Sequence, residues 1–137
     1  MSQFEDFLID SFDEVEEVEK ELEIGGRKRK MKFKAIGANR ADEIRKDCRN
    51  VKFIKGQKIV ETNQDKYLEK VIVETTVYPD LKNAELQSNW GVMGDIELLQ
   101  AMKAKMTDGE YSSWSNVVSE INGYDKELQE LIEEAKN

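Results

Sequence analysis

Cys48 is the only cysteine of the chain, and its thiol is the strongest nucleophile that the sequence offers. Arg45 and Arg49 are close enough in sequence to stabilise a thiolate at this position. The chain contains no histidine, however, so no imidazole can act as the general base that a catalytic thiol or hydroxyl commonly uses. A cysteine packed in a core is therefore favoured over a reactive one.

The sequence also offers little for metal binding. Zinc sites are built mainly from cysteine and histidine, and a single cysteine also excludes an internal disulfide. The 29 acidic residues could supply oxygen ligands, but their spacing contains no calcium-loop pattern. We therefore expect no catalytic, metal-binding or cofactor-binding residues and a function that is not enzymatic.

A strongly basic segment lies in the middle of a chain whose net charge is −8. Residues 25–58 carry 13 basic and 3 acidic side chains, whereas residues 1–24 carry 1 basic and 10 acidic ones. Such a segment could contact the phosphates of a nucleic acid, provided that its cations have no partners within the protein. The local pattern must therefore be examined before a nucleic-acid site is accepted.

Alternation on both sides of Gly25-Gly26 predicts a β-hairpin. Glutamates occupy every second position of 17–23, and lysines occupy every second position of 28–34. A two-residue turn places Val18 opposite Phe33 on the apolar face and each of these glutamates opposite a lysine on the other. The lysines then have partners in the preceding strand, so a structural role is favoured over nucleic-acid binding.

The rest of the chain predicts an α+β fold in a single domain, 15–137, after a flexible or short helical arm at 1–14. Antiparallel hairpins occupy 15–60, the second of them turning at Lys55-Gly56. A mostly helical part with about five helices occupies 62–136. No apolar run approaches the ~20 residues that a membrane span requires, so we expect no membrane association.

Between the two hairpins the sequence predicts a helix. Asn39 is expected to cap it, because asparagine is a preferred residue at helix N-termini. Ala41, Ile44 and Cys48 then lie on one face, which we expect to be buried.

A second helix is predicted to begin at Thr62, with Asp65 three residues on as a capping partner. The β-branched run that follows favours a strand, whereas the apolar spacing over Tyr67–Val77 favours a helix. We expect the helix, because the segment is long for a strand and Pro79 supplies a stop.

Beyond Pro79 the sequence predicts four short helices. Asn83 caps the first, which ends at Gly91. The last follows Asp125 and carries Leu128, Leu131, Ile132 and Ala135 on one face. The two helices between them carry apolar stripes that should face each other. These stripes are Ile96, Leu99, Met102 and Met106 on one helix, and Tyr111, Trp114, Val117, Val118 and Ile121 on the other.

Six large apolar residues of this region could line a groove for a helix of another protein. The alternative is that they form core, and a methionine or aromatic stripe at helical spacing is more often core. Core is favoured for Leu99, Met102 and Trp114, whereas Trp90 and Met93 lie beside glycines in a connection and are expected to be exposed. The six candidates are Trp90, Met93, Leu99, Met102, Met106 and Trp114.

From the first hairpin onward, the order of segments resembles the XkdN-like tail assembly chaperones of tailed phages and prophages. The resemblance covers most of 21–124 and leaves the first twenty residues outside it. The VYPDLKNAELQ and EINGY pieces carry most weight. The segments are LEIGGRKRKMKFKAI, ADEIRKDC, TTVYPDLKNAELQSNWGV, ELLQAM, GEYSSWSNVVSEINGY and the acidic C-terminal tail.

The resemblance implies a non-enzymatic protein that binds the long, largely helical tape measure protein, keeps it soluble and helps tail tube subunits assemble around it. It implies action in the cytoplasm of the bacterial host and absence from the finished particle. The tail tube protein is a second candidate partner, and a homo-oligomer is compatible with the family. The alternatives are a structural head or tail component retained in the virion and, less favoured, a nucleic-acid-binding regulator using residues 25–58.

Overall fold

The computed structural model describes residues 3–124. Antiparallel strands near the N-terminus are followed by a mainly helical part, which confirms the predicted α+β class. Two 3-10 turns, Glu5–Phe7 and Ile9–Ser11, come first. The remaining elements are β1 Val18–Ile24, β2 Arg27–Phe33, α1 Ala38–Asp47, β3 Arg49–Ile54, β4 Gln57–Thr62, α2 Gln64–Thr75, β5 Thr76–Tyr78, α3 Ala84–Asn89, α4 Asp95–Lys103 and α5 Asp108–Ile121.

The first hairpin has the predicted register. Val18 pairs with Phe33, and the glutamates of β1 stand opposite the lysines of β2. Gly25 and Gly26 have φ angles of 64° and 85°, which glycine adopts at little cost and which the favoured two-residue hairpin turn requires. β5 then pairs with the other edge of β2, giving a three-stranded sheet in the order β1-β2-β5.

The second hairpin, β3–β4, turns at Lys55-Gly56 as predicted and forms a separate two-stranded sheet. Val51 pairs with Val60 at its centre. Much of its apolar surface is exposed, including Phe53 with 73% of its surface accessible. This hairpin therefore projects from the core instead of contributing to it.

The face predicted for α1 is confirmed, since Ala41, Ile44 and Cys48 are all buried. The predicted cap at Asn39 is wrong. Gly37, two residues earlier, is the N-cap, because the Ala41 N–H already donates to the Gly37 carbonyl at 3.0 Å. Asn39 therefore lies inside the first turn, where its Oδ1 accepts from the Arg40 N–H.

The start of α2 also differs from the prediction. Thr62 is the last residue of β4 and pairs with Arg49 of β3, so it cannot cap the helix. Asn63 takes that place, and its Oδ1 accepts from the Lys66 N–H at 3.1 Å.

The ambiguous segment before Pro79 is helix first and strand afterwards. α2 ends at Thr75, and Thr76–Tyr78 pairs with the open edge of β2. The predicted helix through Val77 was therefore too long by two residues, because a free strand edge lay within reach of β-branched residues.

The later helices follow the predicted order. Asn83 caps α3 through the Leu86 N–H, as expected. α5 begins at Asp108, where Thr107 and Glu110 form a reciprocal capping box. The helix predicted after Asp125 lies outside the described residues.

α2 is the central helix, and α1, α4 and α5 all pack against it. Residues of both predicted stripes join one core, and α4 and α5 each pack against α2. α5 also contacts β1, so the helices cover one side of the first sheet.

The core consists of Met31, Phe33, Ile44, Cys48, Val71, Ile72, Val73, Leu81, Leu98, Leu99, Trp114 and Val118. Among residues 3–124, no helix combines the length and apolar character needed to cross a bilayer.

Candidate functional site

An apolar groove of about 660 Å³ opens where the first hairpin meets the helical part. Its walls come from the β1–β2 turn, the Tyr78–Pro79 segment, the C-terminal end of α3 and the C-terminal end of α4. The lining residues are Ile24, Gly25, Arg29, Lys30, Met31, Tyr78, Pro79, Leu86, Trp90, Met102, Lys105, Met106 and Trp114. We refer to this site as the groove.

Four of the six residues singled out from the sequence line the groove together: Trp90, Met102, Met106 and Trp114. Trp114 is fully buried beneath the surface, so it serves as core and as the floor of the groove. The other three are partly exposed and pack against the core on their inner sides. They present indole and thioether surface to anything that enters.

The remaining two candidates lie elsewhere. Leu99 is fully buried in the core, and it is absent from the groove lining. Met93 is 90% exposed in the α3–α4 connection and is also absent from that lining. A role in partner binding at Leu99 would require the core to open, whereas Met93 can be reached from solvent.

Trp114 is held in place by a hydrogen-bond chain at the end of α2. Its Nε1–H donates to the Thr76 hydroxyl at 3.0 Å, and that hydroxyl donates to the Ile72 carbonyl at 2.7 Å. All the side-chain polar atoms of this buried chain are satisfied, which is what a polar group inside a core requires. The helix-to-strand switch at Thr76 is what brings this hydroxyl to the indole.

Trp90 is positioned by the way α3 ends. Gly91, with φ 71°, allows the Val92 N–H to turn back and donate to the Gln87 carbonyl at 3.0 Å. The Gln87 side chain also contacts the segments before and after α3, because it donates to the Leu81 carbonyl and accepts from the Gly94 N–H. Trp90 therefore sits on a braced connection instead of a free loop.

The β1–β2 turn is joined to the start of α5 by Glu110. One oxygen of its carboxylate accepts from the Thr107 N–H at 2.9 Å, and the other accepts from the Gly26 N–H at 3.0 Å. These two backbone donors hold the pKa of Glu110 below its usual range. The capping box of α5 thus also fixes the hairpin turn that forms one end of the groove.

Several lining residues were not among the six candidates named from the sequence. Ile24 and Leu86 follow the apolar patterns of a strand and a helix, which mark a residue as partly buried but do not say against what. Tyr78 is 61% exposed beside Pro79, and the sequence signal for it was an aromatic residue next to the only proline. Arg29 and Lys105 gave no signal beyond their charge.

The other candidate for chemistry, Cys48, is buried at the C-terminal end of α1. Its position agrees with the interpretation as core. In residues 3–124 no group of three or more cysteine, aspartate or glutamate side chains is arranged to hold a metal ion. The groove, which four of the six residues singled out from the sequence line, is therefore the candidate site.

Comparison with known proteins identifies the family. The family model described as phage XkdN-like tail assembly chaperone protein matches residues 4–136. Two proteins of Bacillus subtilis strain 168 are similar over 106 residues, which are 77% of this chain and 70% of each relative. The uncharacterized protein YqbN is 38% identical, and the phage-like element PBSX protein XkdN is 31% identical.

A solved structure supports the same relationship. The crystal structure of YqbN matches with a TM-score of 0.69 at 28% identity, covering 91% of this chain and 99% of that one. Fold, family model and relatives agree over most of the sequence. The chain therefore belongs to the family of XkdN-like phage tail assembly chaperones.

Proposed function

We propose that this chaperone binds the tape measure protein of a phage tail, keeps it soluble and promotes assembly of tail tube subunits around it. The groove is the observation that carries the proposal. A long helical protein exposes apolar stripes until it is packaged, and a groove lined by partly exposed methionine and tryptophan can accept the side chains of such a stripe. The activity requires binding only, without catalysis.

The composition of the groove suits a partner that presents many similar segments. Met102 and Met106 have flexible, polarisable side chains that can adjust to differently shaped apolar surfaces. Trp90 adds a large, rigid contact of the kind that often dominates binding energy. Trp114 underneath gives the groove a fixed floor, because its indole is hydrogen-bonded to Thr76.

The basic segment 25–58 gives less support to a nucleic-acid-binding regulator. Its cations are spread over the first hairpin, α1 and the second hairpin. The lysines of the first hairpin stand opposite glutamates as predicted, but within residues 3–124 they form no ion pair with them. Three other cations are engaged within the protein. Arg40 pairs with Glu43 and Glu74, Arg45 pairs with Asp42, and Lys52 pairs with Glu61. The chaperone function therefore remains the better supported of the two.

Truncation of Trp90 tests the proposal. We expect Trp90→Ala to reduce the fraction of co-expressed tape measure protein that remains soluble, because it removes the largest partly exposed side chain of the groove. Met93→Ala is the matched control, since Met93 is apolar and lies in the same connection but outside the lining. Equal loss of solubility in both variants, or no loss in either, would contradict the role of the groove.

The protein composition of the finished particle distinguishes a chaperone from a structural tail component. We propose that the protein acts in the host cytoplasm and is absent from the virion. Mass spectrometry of purified particles is expected to detect the tail tube and tape measure proteins without this chain. A stoichiometric amount in the particle would favour the structural alternative.

A further inference from the structure

The charged residues that line the groove are all cations. Arg29, Lys30 and Lys105 belong to the lining, and every other lining residue is uncharged. This is unexpected in a protein whose net charge is −8. The groove is therefore locally basic within an acidic molecule.

Arg29 and Lys105 meet at the β1–β2 turn. From the position of a Cβ atom built on Gly25, an Arg29 guanidinium nitrogen lies 3.8 Å away and the Lys105 carbonyl oxygen lies 3.9 Å away. The strand and the α4–α5 connection thus bring one cationic residue each to the same end of the groove. The atom that Lys105 brings to the turn is its backbone carbonyl oxygen, so Arg29 is the residue whose side-chain cation is placed there.

The Arg29 side chain is oriented but not neutralised. Its Nε–H donates to the Ile24 carbonyl at 2.8 Å, which fixes the plane of the guanidinium and leaves its other donors for a ligand. Within residues 3–124, neither Arg29 nor Lys105 forms an ion pair with a carboxylate. A held guanidinium with free donors is well suited to binding a carboxylate.

Acidic residues do occur on the far side of Lys105. Glu21, Glu23 and Glu110 line a shallower depression that shares Lys105 and Met106 with the groove. The Glu110 carboxylate already accepts hydrogen bonds from Gly26 and Thr107. Arg29 and Lys30 line the groove but not that depression. Of these two, Arg29 is the one that a hydrogen bond holds in place, so it is the principal cation available to a bound segment.

We infer that the groove selects helical segments whose apolar stripe ends in a cluster of carboxylates, and that Arg29 and Lys105 bind this cluster. The inference rests on the proposed function, because it specifies which segments of the partner the groove takes. The apolar wall supplies contact area, and the cationic end sets which segment binds and in which direction. A stripe that ends in lysine places like charges together and is rejected.

The test uses three synthetic helical peptides with the same apolar stripe, ending in glutamate, glutamine or lysine. We expect the full chain to bind the glutamate peptide about fivefold to tenfold more tightly than the glutamine peptide, and the lysine peptide most weakly, by titration calorimetry. In the double variant Arg29→Gln with Lys105→Gln, the first two affinities should become nearly equal, because Lys30 is then the one cation left in the lining. Equal binding of the glutamate and glutamine peptides by the unaltered protein would overturn the inference.

Control variants separate this inference from the proposed function. Lys28→Gln with Lys58→Gln makes the same change in net charge at exposed positions outside the groove, and it should retain the preference. Trp90→Ala should weaken the binding of all three peptides to a similar extent. If no peptide binds, the proposal that the groove is the partner site is wrong. If all three peptides bind with equal affinity, only the inference of charge selection is wrong.

Discussion

Trp114 shows how one side chain can serve both stability and the proposed binding site. It is fully buried, forms the floor of the groove and is bonded to Thr76. The residues above it, Trp90 and Met106, are partly exposed. Variants of Trp114 are therefore expected to act mainly through folding, and variants of Trp90 mainly through binding.

Substitutions at Trp114 should separate packing from hydrogen bonding. Trp114→Ala is expected to lower the free energy of unfolding by about 3–5 kcal/mol, because it leaves a large cavity in the core. Trp114→Phe keeps most of the volume but loses the N–H donor, with an expected cost of about 1–3 kcal/mol. Urea denaturation measures both, and equal stability of the alanine variant and the unaltered protein would show that the indole is not core.

The two hairpins differ in their surroundings although their turns are alike. Both turns have two residues with positive φ, at Gly25-Gly26 and at Lys55-Gly56. β1–β2 is extended by β5 and covered by α5, whereas β3–β4 pairs only within itself and leaves apolar side chains exposed. A two-stranded sheet without a covered face is marginally stable on its own.

Amide hydrogen exchange should report this difference. We expect the backbone amides of β3 and β4 to exchange well before those of β2, because local opening of the second hairpin exposes little buried surface. Exchange followed by nuclear magnetic resonance can resolve the two hairpins in one experiment. The idea would fail if β3–β4 amides were protected as strongly as those of β2.

An ionic cluster ties together three parts of the molecule around Glu74. Arg40 of α1 and Lys82, before α3, bind the same carboxylate oxygen of Glu74 on α2, at 2.8 and 2.6 Å. Partial burial alone would raise the pKa of Glu74, but the hydrogen bonds from Arg40 and Lys82 outweigh it and hold the pKa below its usual range. The stability of the whole fold is therefore linked to pH through this group.

The sign of the linkage follows from the lowered pKa. The contribution of Glu74 is complete above its unfolded pKa of about 4.3 and is lost as pH falls through the lower folded value. We expect Glu74→Gln to lower the free energy of unfolding at pH 7 by about 1 kcal/mol; the effect is this small because Arg40 and Lys82 are partly exposed. The variant should also lose less stability than the unaltered protein as the pH falls below about 5. Thermal denaturation from pH 7 to pH 3 measures this, with Glu85→Gln as an exposed control; parallel pH curves for Glu74→Gln and the unaltered protein would contradict it.

Local patterns were sufficient for much of the fold. The register of the first hairpin was predictable because a two-residue turn at Gly25-Gly26 fixes which residues pair, and the alternation of charged and apolar residues agrees with that pairing. The buried face of α1 was predictable because helical spacing alone places Ala41, Ile44 and Cys48 together. The helix caps were less certain, since neighbouring candidates such as Thr62 and Asn63 compete and strand pairing decided between them.

What the sequence by itself determined is therefore most of the elements, the buried face of α1 and the family to which the chain belongs. Only the tertiary structure decided that Thr76–Tyr78 leaves the helix for the sheet, because a free edge of β2 has to be nearby. It also decided the site. Ile24 and Met106 are far apart in sequence and line one groove because α4 packs on α2, α5 packs on α2 and β1, and the connection between α4 and α5 reaches the hairpin turn. Such contacts depend on how the elements are packed, and no local pattern encodes that packing.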